Sequence, residues 1–220
     1  MLRPRFLNGH HYPLSITDLQ TVPATAITDP NWLADALSAT ARRFRIDREP
    51  TVGVLWWYSA SSVLLGPAAE TFVRGGRAAD PALRSLTLFV HPDGRVLDAR
   101  ASSFVDRRAV PVRLATLLDV CVSSVAAASG APSRALWAIA SDSLANRVLW
   151  AGGATASAAA LAADERLPAP RFVDVAGQRV LRRSSCCLIY EAPGQQKCVS
   201  CPRQLPDDRL RRLRQTLGQV

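Results

Sequence analysis

The chain has 220 residues, 48% of them hydrophobic and 20% charged. That balance excludes wholesale disorder and supplies enough chain for a real hydrophobic core in roughly one to two domains. Its 27 Lys+Arg against 18 Asp+Glu leave a formal net charge of +9, which favours anionic partners: nucleic acid, acidic proteins, lipid headgroups or an anionic small molecule. Lys197 is the single lysine among those cations, so the abundance of arginine reads as codon bias and carries little functional weight.

In chain order, the segment Met1 to His10 is positively charged but has no apolar stretch after it, so it does not read as a secretory signal. Asp29-Pro30 predicts a helix start, as N-cap and first helical residue. Leu33, Leu37, Ala41 and Phe44 follow at helical spacing, and Arg42, Arg43, Arg45 and Arg48 close the segment. Pro50 to Ala69 is an uncharged run whose serines, glycines and Tyr58 favour a buried core helix over a membrane span. That helix is expected to reach Val73, with a break at Gly66-Pro67. Leu86, Leu88 and Val90 alternate, His91-Pro92-Asp93-Gly94 turns, and Arg95 to Ser102 returns, which predicts a hairpin.

Val112 to Ala128 and Ser133 to Trp150 read as two apolar helices separated by Ser129-Gly130-Ala131-Pro132, and Gly152 to Ala163 is helix-compatible. Cys121 and the tryptophans Trp56, Trp57, Trp137 and Trp150 fall in apolar helical segments and are expected in the core. Leu167-Pro168-Ala169-Pro170 is a stiff connector. Phe172, Val173, Val175, Val180 and Leu181 around Ala176-Gly177 predict a second hairpin. Leu210, Leu213 and Leu217 make the stripe of a terminal helix, with Asp207 and Asp208 at its start and Gly218 after it. The pattern is α+β, a helical core with β-hairpins and a C-terminal cysteine-rich segment. It divides into a core at 1–170 and a hairpin, cysteine and terminal-helix segment at 171–220 that packs on the core as one domain.

Four of the five cysteines, Cys186, Cys187, Cys198 and Cys201, lie within sixteen positions with the spacing C-C-x10-C-x2-C. Four thiolates can hold an iron–sulfur cluster or a zinc ion. A Cys198–Cys201 thiol–disulfide couple is a third reading, though a redox CxxC normally opens a helix in a thioredoxin-like βαβ unit, which is absent here. Pro193-Gly194 suits the centre of a type II turn. If that turn joins a hairpin, Cys186 lies opposite Cys201, Cys187 faces Ser200 and Cys198 faces Ile189. Adjacent residues on a flat strand point to opposite faces, so Cys186-Cys187 requires a bulge or a strand end.

These cysteines, the preceding Arg182-Arg183-Ser184-Ser185 and the following Leu188-Ile189-Tyr190 resemble the C-terminal signature of the FhuF-like ferric siderophore reductases. The resemblance implies a [2Fe-2S] cluster on Cys186, Cys187, Cys198 and Cys201 in an oxidoreductase that passes one electron to Fe(III) held by a siderophore, hydroxamate-type favoured. Hard oxygen donors hold Fe(III) far better than Fe(II), so reduction frees the metal. The chain shows no GxGxxG, no P-loop and no histidine constellation, since His10 and His11 sit near a terminus and His91 in a turn. The electron is therefore expected from a separate donor such as a ferredoxin or flavin reductase.

Arg182, Arg183, Lys197 and Arg203 flank the cysteines in sequence and are the candidate groups for tuning the cluster or docking partners. The terminal face of Arg209, Arg211, Arg212 and Arg214 can meet an acidic ferredoxin or a membrane periphery, or be an ordinary solvated face. The alternative reading is a zinc-stabilised basic module for nucleic acid or an acidic protein. No nucleic-acid motif accompanies it, and none of that partner class is expected. With no secretory signal and no membrane span read from the sequence, a cytoplasmic protein is expected, and in that reducing compartment clustered cysteines are expected to be metal ligands or redox groups rather than structural disulfides. From Arg179 to Val220 there are nine Lys+Arg and three Asp+Glu, so the basic excess concentrates around the thiols.

Overall fold

The computed structural model describes residues 19–218; the Met1 to His10 segment and His11 lie outside them. Helix α1 (Pro30–Phe44) starts where expected: the Asp29 carboxylate accepts from the backbone N–H groups of Asn31 and Trp32 at 2.8 and 3.4 Å. It ends at Arg45, whose left-handed backbone (φ 53°) returns an N–H to Ala41 O. Leu33, Ala36 and Leu37 form its buried stripe.

Helix α2 (Glu49–Arg74) is the centre of the molecule and is buried along most of its length. The expected break at Gly66-Pro67 does not occur. Proline removes one helical donor and leaves a carbonyl unpaired. Here the Arg147 guanidinium lies against Gly66, donates from Nε to Ser62 O at 2.6 Å and pairs with Glu70 at 3.2 Å. The carbonyl that Pro67 leaves unpaired is that of Val63, so Arg147 braces the adjacent carbonyl of the same turn from another helix rather than replacing the lost bond.

Strands β1 (Gln20–Pro23), β2 (Ala78–Ala79), β3 (Leu86–Val90), β4 (Val96–Ala101) and β5 (Phe104–Val105) form a three-stranded sheet in the order β1-β3-β4 and a two-stranded β2–β5 pair. The β3–β4 hairpin forms as expected, with Leu86, Leu88 and Val90 buried, and β1 adds antiparallel to β3. Strand β1 and the short β2–β5 pair were not legible in the sequence. They are too brief to show a period, and their pairing comes from distant segments.

Helices α3 (Val110–Ser129), α4 (Ser133–Trp150) and α5 (Thr155–Leu161) complete the core. Helix α4 packs along α2, joined by Trp57 Nε1 donating to Leu136 O at 2.9 Å and by the Ser61–Ser143 hydroxyl pair at 2.9 Å. Cys121, Trp56, Trp57 and Trp137 are core residues as expected, whereas Trp150, the last residue of α4, is 39% exposed. There the helix leaves the core, and Arg147 stacks over the indole.

The stretch Arg107–Ser129 is long and apolar enough to cross a membrane, with a mean hydropathy of 1.6. One face (Leu114, Leu118, Cys121, Val125) is in the core, while Val112 and Val120 are exposed. The run from Pro50 to Ala69, by contrast, belongs to buried α2.

The second hairpin, β6 (Phe172–Val175) with β7 (Gln178–Leu181), turns through Ala176 and Gly177, both at positive φ (51° and 74°), as a two-residue turn matched to strand twist requires. Helix α6 (Pro206–Leu217) follows the cysteines and has no fully buried residue; its Leu210, Leu213 and Leu217 stripe is half-buried. The architecture is mixed helix and strand, with the cysteines clustered near the C-terminus.

Candidate cluster site

The cysteine segment is a loop rather than the expected hairpin: residues 182–205 contain no strand pairing beyond the end of β7. The turn itself is present, closed by Gln195 N–H donating to Ala192 O at 3.0 Å, with Gly194 at φ 75°. Side-chain anchors to the helices replace ladder bonds. The Asp142 carboxylate on α4 accepts from Ser184 N at 2.9 Å, Ser185 N at 3.1 Å and Ser185 Oγ at 2.7 Å. At the other end, Thr51 on α2 donates to Glu191 at 2.6 Å, and Arg48 pairs with the same carboxylate at 3.6 Å.

Between these anchors the chain reverses sharply. Leu188 adopts a left-handed backbone (φ 61°), and a 3-10 turn follows at Ile189–Glu191. A non-glycine residue there stores strain, which the two anchors hold in place. The bend directs the backbone N–H groups of Leu188 and Ile189 at the sulfurs of Cys186 and Cys187, a concavity of amides suited to anionic sulfur. Adjacent cysteines thereby serve one site without a bulged strand.

All five cysteines are free. Cys186 and Cys201 Sγ lie 3.6 Å apart, as the turn geometry anticipated, well beyond the roughly 2.05 Å of a disulfide. Cys187 is partnered by Cys198, not by Ser200, and Cys198 does not oppose Ile189 across a hairpin. The loop path, not strand register, sets that pair. Cys187 and Cys201 are buried, while Cys186 and Cys198 are half-buried. Hydrogen bonding with Cys198, aided by the Arg183 cation, holds the Cys187 thiol down to about 5, and the same interaction pushes Cys198 up. Burial pushes Cys186 up to about 11 and the remote Cys121 up to about 12.

Arg183 is 5% exposed, an unusual place for a guanidinium. It stacks over Tyr58 at 4.6 Å, lies 3.6 Å from Asp142 Oδ2 and donates from Nη1 to Cys198 Sγ at 3.5 Å. Its Nε and Nη2 have no hydrogen-bond partner; among the described residues the only other such buried side-chain atom is Trp56 Nε1. Burial works to lower its pKa, but Tyr58, both nearby thiols and Asp142 outweigh it and keep Arg183 charged. Of the four cations flanking the cysteines in sequence, only Arg183 is brought to a sulfur. Arg182 is exposed at the end of β7, and Lys197 and Arg203 are exposed against the Tyr190 ring, on the outer side of the loop. Asp142 and Tyr58 escaped the sequence reading. Their signal was a lone acid and a lone phenol inside apolar helices.

Residues 183–203 match the FhuF 2Fe-2S C-terminal domain. No curated protein matches the chain. The match points to an iron–sulfur protein similar to the ferric siderophore reductases, and the local chemistry fits such a group. Among the described residues no three His, Cys, Asp or Glu side chains gather to hold a metal ion; the thiols come in two pairs. A tetrahedral metal with bonds to sulfur of about 2.3 Å holds two sulfurs about 3.8 Å apart, close to the 3.6 Å between Cys186 and Cys201. The unpartnered Arg183 N–H groups fit an anionic group such as thiolates around iron.

Proposed function

We propose that the protein is a [2Fe-2S] oxidoreductase that reduces Fe(III) bound to a siderophore in the cytoplasm. The observation that carries the reading is the pair of thiol couples set against a buried arginine with two unpartnered N–H atoms. Cys186 and Cys201 would hold one iron, and Cys187 and Cys198 the other. When bound, the cluster would supply a one-electron carrier between a separate ferredoxin or flavin reductase and the Fe(III) substrate.

The chain's own residues do the rest. Leu188 and Ile189 aim N–H dipoles at two sulfurs, and Arg183 offsets the negative charge of a reduced thiolate-bound centre. Asp142 fixes Ser184 and Ser185, so the loop needs little reorganisation when charge changes. Burial of Cys187 and Cys201 excludes water, and half-buried Cys186 and Cys198 leave the site open toward an oxidant. Fe(II) is then lost from oxygen donors that favour Fe(III).

Protein purified without oxygen is expected to be red-brown, to carry about two irons and two sulfides per chain, and to bleach with dithionite. Mixing the bleached protein with a ferric siderophore restores the colour in a single turnover. A colourless protein with one zinc per chain would sink the reading. Cys198→Ser is expected to abolish the stable native absorbance; an unchanged spectrum removes Cys198 from the ligand set.

A further inference from the structure

The two thiol pairs do not share one environment. Arg183 Nη1 donates to Cys198 Sγ at 3.5 Å, and the same cation acts on Cys187, which also receives the Ile189 amide. Cys186 receives the Leu188 amide, and among the described residues no cationic side chain donates to Cys186 or Cys201. The other cations around the loop are turned to neutral oxygens on its outer side. Lys197 donates to Arg203 O, Arg203 to the Tyr190 hydroxyl, and Arg212 to Lys197 O and Gln204 Oε1.

The guanidinium that makes this difference is held between two helices. It lies over the Tyr58 ring of α2 at 4.6 Å, and its Nε stands 3.6 Å from Asp142 Oδ2 on α4. Asp142 spends its oxygens on the Ser184 and Ser185 amides and the Ser185 hydroxyl, so no carboxylate is hydrogen-bonded to Arg183. The Tyr58 face is therefore the surface that fixes the plane of the guanidinium, a geometry aromatic rings favour. Tyr58 itself stands within electrostatic reach of Cys187 and Cys198, the same pair. Burial pushes its hydroxyl above the ordinary value, so the ring stays a neutral phenol and leaves the charge of Arg183 intact.

We propose that Tyr58 is a positioning residue that, through Arg183, makes the two thiol pairs unequal, so that an electron entering the loaded site rests on the iron held by Cys187 and Cys198. Added negative charge is held where a cation is nearest, and away from water that preference is weakly screened. Arg183 thus selects a side of the site as well as offsetting its charge. The proposal rests on the reading of the four thiols as [2Fe-2S] ligands in two pairs.

The test uses the full chain carrying its cluster, reduced by dithionite and observed by proton NMR. In that state the β-protons of cysteines on ferric iron are strongly shifted and move back toward the ordinary range on warming. Those on ferrous iron are weakly shifted and move the other way. Once the signals are assigned through dipolar contacts with neighbouring residues, Cys187 and Cys198 are expected to carry the ferrous signature, and Cys186 and Cys201 the ferric one. Tyr58→Phe keeps the ring and is expected to retain both this pattern and the wild-type midpoint potential. Tyr58→Leu removes the ring and should lower the midpoint by about a tenfold change in the ratio of oxidised to reduced protein, about 59 mV for one electron. The ferrous signature on Cys186 and Cys201, an even sharing over all four cysteines, or a folded Tyr58→Leu protein of wild-type potential overturns the proposal. If Tyr58→Leu does not fold, the wild-type assignment decides alone. A protein that carries zinc or no metal shows no shifted cysteine signals and refutes the cluster reading together with the proposal, whereas shifted signals on the wrong pair refute the proposal and leave the cluster reading standing.

Discussion

Two buried aspartates in this molecule face arginines, and they are finished differently. Asp80 accepts from Ala82 N–H at 3.0 Å and the Ser85 hydroxyl at 3.3 Å, and pairs with Arg113 at 2.9 Å. The Arg113 side chain is 39% exposed, so water solvates what Asp80 does not. Burial works against the Asp80 charge, but its donors prevail and hold it below the usual carboxylate range. Asp142 and Arg183 are both almost wholly buried and stand 3.6 Å apart, too far for a hydrogen bond. Burial pushes the Asp142 carboxyl up, and Ser184, Ser185 and Arg183 only partly oppose it. Two guanidinium atoms stay unpartnered. Asp80–Arg113 is a closed structural pair, whereas Arg183 keeps two nitrogens that neither Asp142 nor Cys198 engages.

The comparison can be broken most severely at Arg183. Arg183→Met leaves Asp142 buried without its cation, and breaking a buried pair in this way costs about 3–5 kcal/mol. Denaturant titration of metal-free protein should read that loss, and the reduction potential of loaded protein should fall because a cation beside the sulfurs is gone. A potential equal to wild type would separate Arg183 from the site. Asp142→Asn is a milder and opposite change. It keeps an acceptor for the Ser184 and Ser185 amides, costs about 1–2 kcal/mol through weakened hydrogen bonds, and should raise the potential by removing a negative charge. A fall in potential would mean that Asp142 acts only by holding the loop.

Arg113→Gln should cost about 1 kcal/mol or less, since its guanidinium is solvated, and should leave the visible spectrum untouched. The smallest effect belongs to Asp93 in the β3–β4 turn. Burial opposes its charge, yet Arg95 and His91 hold its carboxyl at about 2. A depressed folded value means the contribution is fully present above the unfolded value near 3.9 and disappears as the pH falls through about 2. Denaturant midpoints of wild type and Asp93→Asn should therefore differ at neutral pH and converge toward pH 2; a constant gap would show that the ion pair does not link to stability.

Much of the frame was legible because its signals are local. Asp29-Pro30 specifies a helix start through atoms two or three residues away, and Ala176-Gly177 and Pro193-Gly194 specify turns through their own backbone preferences. Pro67 misled because the helix is braced there by its burial in the core and by Arg147 from another helix. The cysteine hairpin misled because turn chemistry fixes only the four residues of the turn; the flanking segments found partners on α2 and α4 instead of on each other. Trp150 misled because helical spacing does not say where a helix leaves the core.

The sequence by itself determined the mixed helix and hairpin pattern, the cysteine spacing and the basic C-terminal surroundings, since each is a property of neighbouring residues. Only the tertiary structure decided which thiols pair and which arginine reaches a sulfur. Those outcomes depend on contacts such as Asp142 with Ser185 and Thr51 with Glu191, which span 43 and 140 residues. No local preference encodes such contacts; burying the charged and polar groups together selects them.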